Sequence, residues 1–348
     1  MSARVAINGF GRIGRLAARL LLEQRDPAVT LVAVNDLMDA ATCAALYKRD
    51  SIHGPARGAI EVGEGFFTVD GQRVTVTNAR EPGSIDHAAL GIDIVIEATG
   101  SFANRAGAQA HLAAGASLVL ISAPAKGADI TIVRGVNEFE LRPEHLIVSN
   151  GSCTTNALAP IAHVLDRAIG IVRGHMTTVH SYTNDQRLLD QYHPDLRRAR
   201  GAATSLIPTS TGATEAVAQV LPQLAGKLSG ASVRVPTPNV SLVDFVFEAS
   251  RATSADEVNR ALESAAESWL HDILAVSTEP LVSSDYNHNP ASSTVDLLET
   301  KVTDGSLVRV LAWYDNEWGF ANRMAEMTAL IARRMIEARV PMADGKPL

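Results

Sequence analysis

The chain has 348 residues, 46% hydrophobic and 20% charged, which is enough for about two domains with their own cores and excludes a disordered or fibrous protein. Thirty-one Lys plus Arg against 38 Asp plus Glu leave a net charge of −7, so neither nucleic acid nor an anionic membrane is expected as a partner, although a local basic site for a small anion is compatible with it. Two cysteines, Cys43 and Cys153, are too few for a disulfide framework or a four-cysteine zinc site and point to the reducing cytoplasm.

The N-terminus, Met1-Ser2-Ala3-Arg4, passes directly into Val5-Ala6-Ile7, with no signal-peptide pattern, and no uncharged apolar run is long enough to predict a membrane span. The first 150 or so residues then repeat one theme: short apolar runs at Val5 to Ile7, Leu31 to Val34, Ile92 to Ile96, Leu118 to Ile121 and Leu146 to Val148, separated by alanine-rich stretches suited to crossover helices. Runs that do not alternate with polar residues suit parallel strands buried on both faces. This predicts a doubly wound, Rossmann-type α/β domain over residues 1–152. A helix is expected from Ser152 to about Ala168, followed by an Arg-rich loop from about Ser181 to Thr211. The alternation in Ser241-Leu242-Val243-Asp244-Phe245-Val246-Phe247 predicts an antiparallel sheet with one wet face. A second, α+β domain on a largely antiparallel sheet is therefore expected over 153–315, and Phe320, Met324, Met327, Ile331 and Met335 mark a closing amphipathic helix over 316–348.

Three constellations carry chemistry. Gly9-Phe10-Gly11-Arg12-Ile13-Gly14 forms a G-x-G-x-x-G run after a strand and before a helix, where a pyrophosphate can sit on the helix N-terminus. Asp36 ends the next apolar run, 22 residues after Gly14, where a carboxylate can accept from the adenosine ribose hydroxyls. The bland alternative is a glycine turn that only packs helix on strand. Cys153, in Gly151-Ser152-Cys153-Thr154, stands in the first turn of a helix, where the dipole and open N–H groups would lower its pKa and favour thiolate. Cys43, within an apolar stretch, reads as plain packing. His180 ends an apolar run and is a candidate base for Cys153. Arg187, Arg197, Arg198 and Arg200, then Thr211-Gly212 and Arg234, suit a phosphate monoester or inorganic phosphate, the alternative being a solvated face or salt bridges. No spacing of metal ligands occurs, so no metal is expected.

Together, Ile7 to Gly14, Ser149 to Asn156, His180 to Gln186, Asp195 to Arg200, Pro208 to Ala213, Arg234 to Ser241 and Trp313 to Glu317 resemble the phosphorylating glyceraldehyde-3-phosphate dehydrogenases. The resemblance implies oxidation of glyceraldehyde 3-phosphate with NAD and inorganic phosphate, through a hemithioacetal and a thioester, to 1,3-bisphosphoglycerate. Cys153 then looks like the nucleophile and His180 the base. Ser152, Thr154, Thr183, Arg198, Thr211, Gly212 and Arg234 look like substrate and phosphate ligands. Gly9, Gly11, Arg12, Ile13, Gly14, Asp36, Arg80, Ser122 and Asn316 look like the cofactor contacts. A cytoplasmic homotetramer is also implied. Erythrose-4-phosphate oxidation is the alternative within the enzyme class, and a non-catalytic NAD-binding redox sensor the alternative outside it. The pattern departs from most relatives at Ala157, where they carry a second cysteine, and at Gln191-Tyr192, which shifts the burden of cofactor choice toward Asp36.

Overall fold

The computed structural model describes residues 2–339. The chain divides into two compact units: one comprises residues up to Ile130, Arg142–Asn150 and residues from Ala321 onward, the other Thr131–Leu141 and Gly151–Phe320.

In the first unit the strands are β1 (Ala3–Asn8), β2 (Val29–Asn35), the short pair β3 (Arg49–Asp50) and β4 (Gly54–Pro55), β5 (Ile60–Gly63), β6 (Phe66–Val69), β7 (Gln72–Thr77), β8 (Ile94–Glu97), β9 (Leu118–Ile121), β10 (Ile130–Thr131) and β11 (Ile147–Ser149). Nine of them form one sheet in the order β10-β11-β9-β8-β1-β2-β7-β6-β5. Its centre is parallel, with β1 between β2 and β8, and the residues of β8, β9 and β11 are buried throughout, as continuous apolar runs require. The helices α1 (Arg12–Gln24), α2 (Ala40–Lys48), α3 (His87–Leu90) and α4 (Arg105–Ala113) make the crossovers. The five predicted apolar runs all become strands. The antiparallel edge β5-β6-β7 went unpredicted, because its strands alternate and are partly exposed. Asp70 and Gly71, both with positive φ (49° and 81°), turn β6 into β7. An Asp-Gly pair between alternating strands is the sequence signal for this hairpin.

The second unit holds β12 (Ile171–Ser181), β13 (Ile207–Thr209), β14 (Leu228–Val235), β15 (Ser241–Ala249), β16 (Leu274–Ser277), β17 (Ser293–Thr303) and β18 (Leu307–Tyr314), in the order β13-β14-β12-β15-β18-β17-β16. The sheet is largely antiparallel; β12 runs parallel to β14, and β16 to β17. Strand β15 alternates strictly between buried and half-buried residues. Its buried face, with Phe245 and Phe247, packs into a core with Leu158, Ile161 and Leu165 of α5 (Cys153–Ile169). Helices α6 (Ala213–Val220) and α7 (Ala255–Ala266) add Val217, Val258 and Leu262 to it.

The last helix, α8, runs Trp318–Arg339. It starts two residues after the expected position because the Asp315 carboxylate accepts from the N–H groups of Glu317 and Trp318 (2.9 and 2.8 Å), which sets the entry point. Within the first unit α8 is tied to the loop after α1 by an Arg333–Asp26 ion pair and to the residue before β8 by Arg339–Asp93 (2.6 Å). Residues 340–348 of the expected helix lie outside the described residues.

Candidate active site

The glycine run connects β1 to α1. Gly9 has φ +91°, and a Cβ there would lie 2.6 Å from the Thr99 nitrogen. A Cβ on Gly14 would lie 2.0 Å from the Gly9 carbonyl oxygen, so both glycines are demanded by packing. Gly11 differs, because a Cβ there would meet no protein atom within 4 Å. It caps α1 without a side-chain hydrogen bond, and the first turn carries no acid, so the N-terminal N–H groups stay available to an anion. They open on a cleft of about 400 Å³ lined by Gly9, Gly11, Asp36, Leu37, Arg80 and Thr99, among others. The Asp36 carboxylate accepts from the Phe10 and Met38 N–H groups (2.7 and 3.3 Å), which fix its direction while leaving lone pairs for a ligand. The cleft therefore fits a dinucleotide with an unphosphorylated ribose at Asp36.

Not every expected cofactor residue lines this cleft. Arg12 makes a two-pronged contact with Asp50 (2.5 and 3.0 Å). Burial of Asp50 opposes its ionisation, but Arg12 and the N–H groups of His53 and Ile52 outweigh that and hold the carboxyl below the usual carboxylate range. Ile13 and Gly14 lie inside α1, and Ser122 follows β9 with its N–H donating to the Glu97 carbonyl (2.9 Å). Lining residues that sequence reasoning missed include Asn8, Thr99 and Phe102. Their signal was positional, since ligands of such sheets bind beyond the carboxyl ends of the strands, and Thr99 and Phe102 follow β8. Thr99 and Asn8 are held by the buried Glu97: the Thr99 N–H donates to Oε1 (2.8 Å) and the Asn8 amide to Oε2 (2.6 Å), while His111 Nε2 lies 3.1 Å from Oε2.

In the second unit, Ser152 caps α5 by accepting from the Thr155 N–H (3.0 Å), which places Cys153 in the first helical turn. The thiol is half-buried, and its Sγ lies 3.4 Å from His180 Nε2. Strand β12 delivers His180 near its end, and the parallel register places Arg234 of β14 beside it. Arg234 Nη1 lies 2.6 Å from His180 Nδ1 and 3.0 Å from the Ser181 carbonyl oxygen, which is itself 2.7 Å from Nδ1. The edge of His180 meets Tyr314 with ring centroids 5.9 Å apart. The Tyr314 hydroxyl bridges Thr154 and Thr178, at 2.9 Å from each. Asn316 is buried in this unit, its Oδ1 accepting from Ser181 and Ser241 (2.8 and 2.9 Å).

The electrostatics differ from the expectation of a resting thiolate. Burial pushes the Cys153 thiol up from its ordinary value, more than Arg234 and the neighbouring N–H groups pull it down. Burial and the Arg234 charge push His180 down to about 3. Both shifts act against charge on the pair. The helix dipole favours a thiolate at this position, and the cost of burying its charge opposes one.

The remaining expected anion ligands take two forms. Arg198 donates from Nε to Thr209 (2.7 Å) and from Nη1 to Asp185 (2.9 Å), so it is already paired. Thr183 donates to Gln186 Oε1 (3.2 Å), Thr211 accepts from the Ala213 N–H (3.2 Å), and Gly212 begins α6 without a side-chain cap. Thr154 is buried, with its hydroxyl shared with Tyr314. Tyr314 was missed as a site residue, although it falls in a stretch already singled out. Among the described residues no His, Cys, Asp and Glu side chains gather as a metal site would, and no helix is long and apolar enough to cross a membrane.

A doubly wound unit with an open helix N-terminus, joined in sequence to an α+β unit with a cysteine–histidine pair beside a half-buried arginine, defines a class: dinucleotide-binding proteins equipped for thiol chemistry. Residues 3–105 match the family model described as glyceraldehyde 3-phosphate dehydrogenase, NAD binding domain, and residues 152–316 match that of its C-terminal domain. The chain is 56% identical over 337 residues to the glyceraldehyde-3-phosphate dehydrogenase of Zymomonas mobilis, covering 96% of this chain and all of the relative. It is 54% identical to the proteins of the same name from Xanthobacter flavus and Geobacillus stearothermophilus, covering 96% of this chain and 99% of each. The chain belongs to the glyceraldehyde 3-phosphate dehydrogenase family, and its cofactor is NAD.

Proposed function

We propose that this chain oxidises glyceraldehyde 3-phosphate with NAD and inorganic phosphate to 1,3-bisphosphoglycerate, through covalent intermediates on Cys153. The observation that carries the reading is the 3.4 Å approach of Cys153 Sγ to His180 Nε2, with the Arg234 guanidinium on the far side of the imidazole. His180 takes the thiol proton as Sγ bonds to the aldehyde carbon and passes it to the resulting oxyanion, giving a hemithioacetal, and later takes the proton of that hydroxyl. NAD, when bound, supplies the hydride acceptor that makes the thioester accessible. A phosphate oxygen then bonds to the thioester carbonyl carbon, the C–S bond breaks with its electron pair left on Sγ, and Cys153 departs as a thiolate.

In this reading Gly9, Gly11, Asp36 and Arg80 hold the cofactor directly. Arg12, Ile13, Gly14, Ser122 and Asn316 complete or shape its site, and Ser152, Thr154, Thr183, Arg198, Thr211, Gly212 and Arg234 serve the two phosphates. Residues 1–152, with the closing helix, form the cofactor domain, and 153–315 the catalytic domain. A homotetramer is favoured by the loop from Ser181 to Thr211, where Leu188, Leu189, Tyr192, Leu196 and Leu206 are each at least 68% exposed. The two free thiols accord with the cytoplasm. The test is kcat/KM for glyceraldehyde 3-phosphate and erythrose 4-phosphate, each with NAD and phosphate. A clear preference for the three-carbon aldehyde is expected; equal or better use of the four-carbon one overturns the substrate assignment.

A further inference from the structure

A chain of buried side chains runs from the wall of the dinucleotide cleft into the first unit: Asn35 at the end of β2, Asn8 at the end of β1, Glu97 at the end of β8, His111 of α4 and His87 of α3. Asn35, Asn8 and Thr99 line the cleft. Backbone groups set the direction of the chain, because they cannot exchange donor for acceptor. The Ala79 N–H donates to Asn35 Oδ1 and the Ala79 carbonyl accepts from Asn35 Nδ2, both at 2.9 Å, so the group that Asn35 turns to Asn8 Oδ1 (2.8 Å) is a donor. Asn8 must then turn its own Nδ2 to Glu97 Oε2 (2.6 Å). On the other side the Thr99 N–H and hydroxyl donate to Glu97 Oε1 (2.8 and 2.5 Å). Both oxygens of Glu97 are therefore needed as acceptors.

The two histidines decide whether Glu97 can meet that demand. His111 Nε2 lies 3.1 Å from Glu97 Oε2, and His111 Nδ1 lies 2.9 Å from His87 Nε2. With Glu97 a carboxylate and each imidazole protonated on Nε2, every N–H in the chain has an acceptor. The lone pair left over is His87 Nδ1, which is buried and has no hydrogen-bond partner among the described residues. One more proton on Glu97 or on either ring reverses the bonds behind it and ends as an N–H at His87 Nδ1 with nothing to accept it. A stranded buried donor bears its full desolvation cost. Burial and His111 push His87 in the same sense, down to about 4, against the opposing charge of Asp86.

We propose that His111 and His87 are positioning residues for NAD: they keep Glu97 an acceptor at both oxygens, and Glu97 holds Asn8 and the turn at Thr99 in the form that receives the cofactor. The two strand ends are coupled to the glycine turn, since the Ala98 N–H donates to the Asn8 carbonyl (2.7 Å) and a Cβ on Gly9 would lie 2.6 Å from the Thr99 nitrogen. A change at His111 thus reaches the cleft although His111 does not line it. The proposal concerns the cofactor alone and stands whichever aldehyde is oxidised.

The experiment is the NAD dissociation constant, by calorimetry on the full-length protein, for the parent, Glu97→Gln, His111→Met and His111→Gln, with the urea midpoint of each NAD-free sample. The amide of Glu97→Gln sets a donor against either Asn8 and His111 or Thr99, so NAD affinity is expected to fall by about tenfold. His111→Met fills the space without a donor and is expected to weaken NAD as well, whereas His111→Gln can still donate to Glu97 and is expected to bind close to the parent. The KM for glyceraldehyde 3-phosphate at saturating NAD is expected to hold in all of them. Lower urea midpoints with NAD affinity intact would make the chain a packing feature and overturn the proposal. Equal losses in His111→Met and His111→Gln, or a parallel rise in the aldehyde KM, would overturn it too. The His111 pair carries the test even where Glu97→Gln fails to fold.

Discussion

Two cysteines in one chain show how position decides chemistry. Cys43 is fully buried, and burial, with Asp36 and Asp39 nearby, pushes its thiol up to about 11. Cys153 is partly open, starts a helix and has an imidazole within reach. An alkylating reagent near neutral pH should therefore modify Cys153 well ahead of Cys43 and remove activity in step, as peptide mass mapping against residual activity would show. Asp36 makes a second prediction. The 2′-phosphate of NADP would place a charge of about −1.5 to −2 against this carboxylate and remove a charged hydrogen bond of about 1.5–3 kcal/mol, so NAD should be favoured at least about tenfold. The NAD to NADP ratio of kcat/KM should fall in Asp36→Ala; a ratio unmoved by the substitution would remove Asp36 from cofactor choice. The buried histidines add a pH dependence. His87, pushed down to about 4 by burial and by His111, takes its proton near 6.5 when unfolded. Its contribution to stability is thus complete above about 6.5 and lost as pH falls toward 4. The shift in urea midpoint between pH 7 and pH 5 should shrink in His87→Gln.

At the scale of elements, the glycine turn separates packing from binding. Gly14→Ala drives a Cβ into the Gly9 carbonyl and should destabilise the domain, whereas Gly11→Ala meets open space at φ −72° and should fold normally. Its methyl group would occupy the cradle, so NAD affinity should still drop by about tenfold, or about 1.4 kcal/mol. Unchanged affinity would mean that the cofactor does not approach α1 at Gly11. This element was legible from residues alone, because strand, glycines, helix and acid are close in sequence. The thiol site was legible only in part. Cys153 and His180 announced themselves, but the Arg234 contact depends on the register of β12 and β14, whose partners are 54 positions apart. Tyr314 reaches Thr154 from 160 positions away. Long-range pairing of this kind leaves no local pattern, and the burial that acts against charge on the pair belongs only to the folded chain.

For the whole molecule, each unit carries its own sheet and apolar core, with an anion-ready helix terminus in one and the cysteine–histidine pair in the other. The exposed leucines of the Ser181 to Thr211 loop should be covered by further copies of the chain, so sedimentation should report a tetramer, and Leu189→Asp with Leu196→Asp should shift it toward smaller species. The proposed mechanism makes Cys153 the carrier of the substrate as a thioester that only phosphate releases. It is tested by mixing stoichiometric enzyme, NAD and glyceraldehyde 3-phosphate without phosphate, following NADH absorbance and the intact mass of the protein. A burst of about one NADH per chain, as one covalent intermediate on one thiol requires, is expected, with an acyl adduct on Cys153 that phosphate discharges and no burst from Cys153→Ala. A burst in Cys153→Ala, or steady turnover without phosphate and without an adduct, would contradict it.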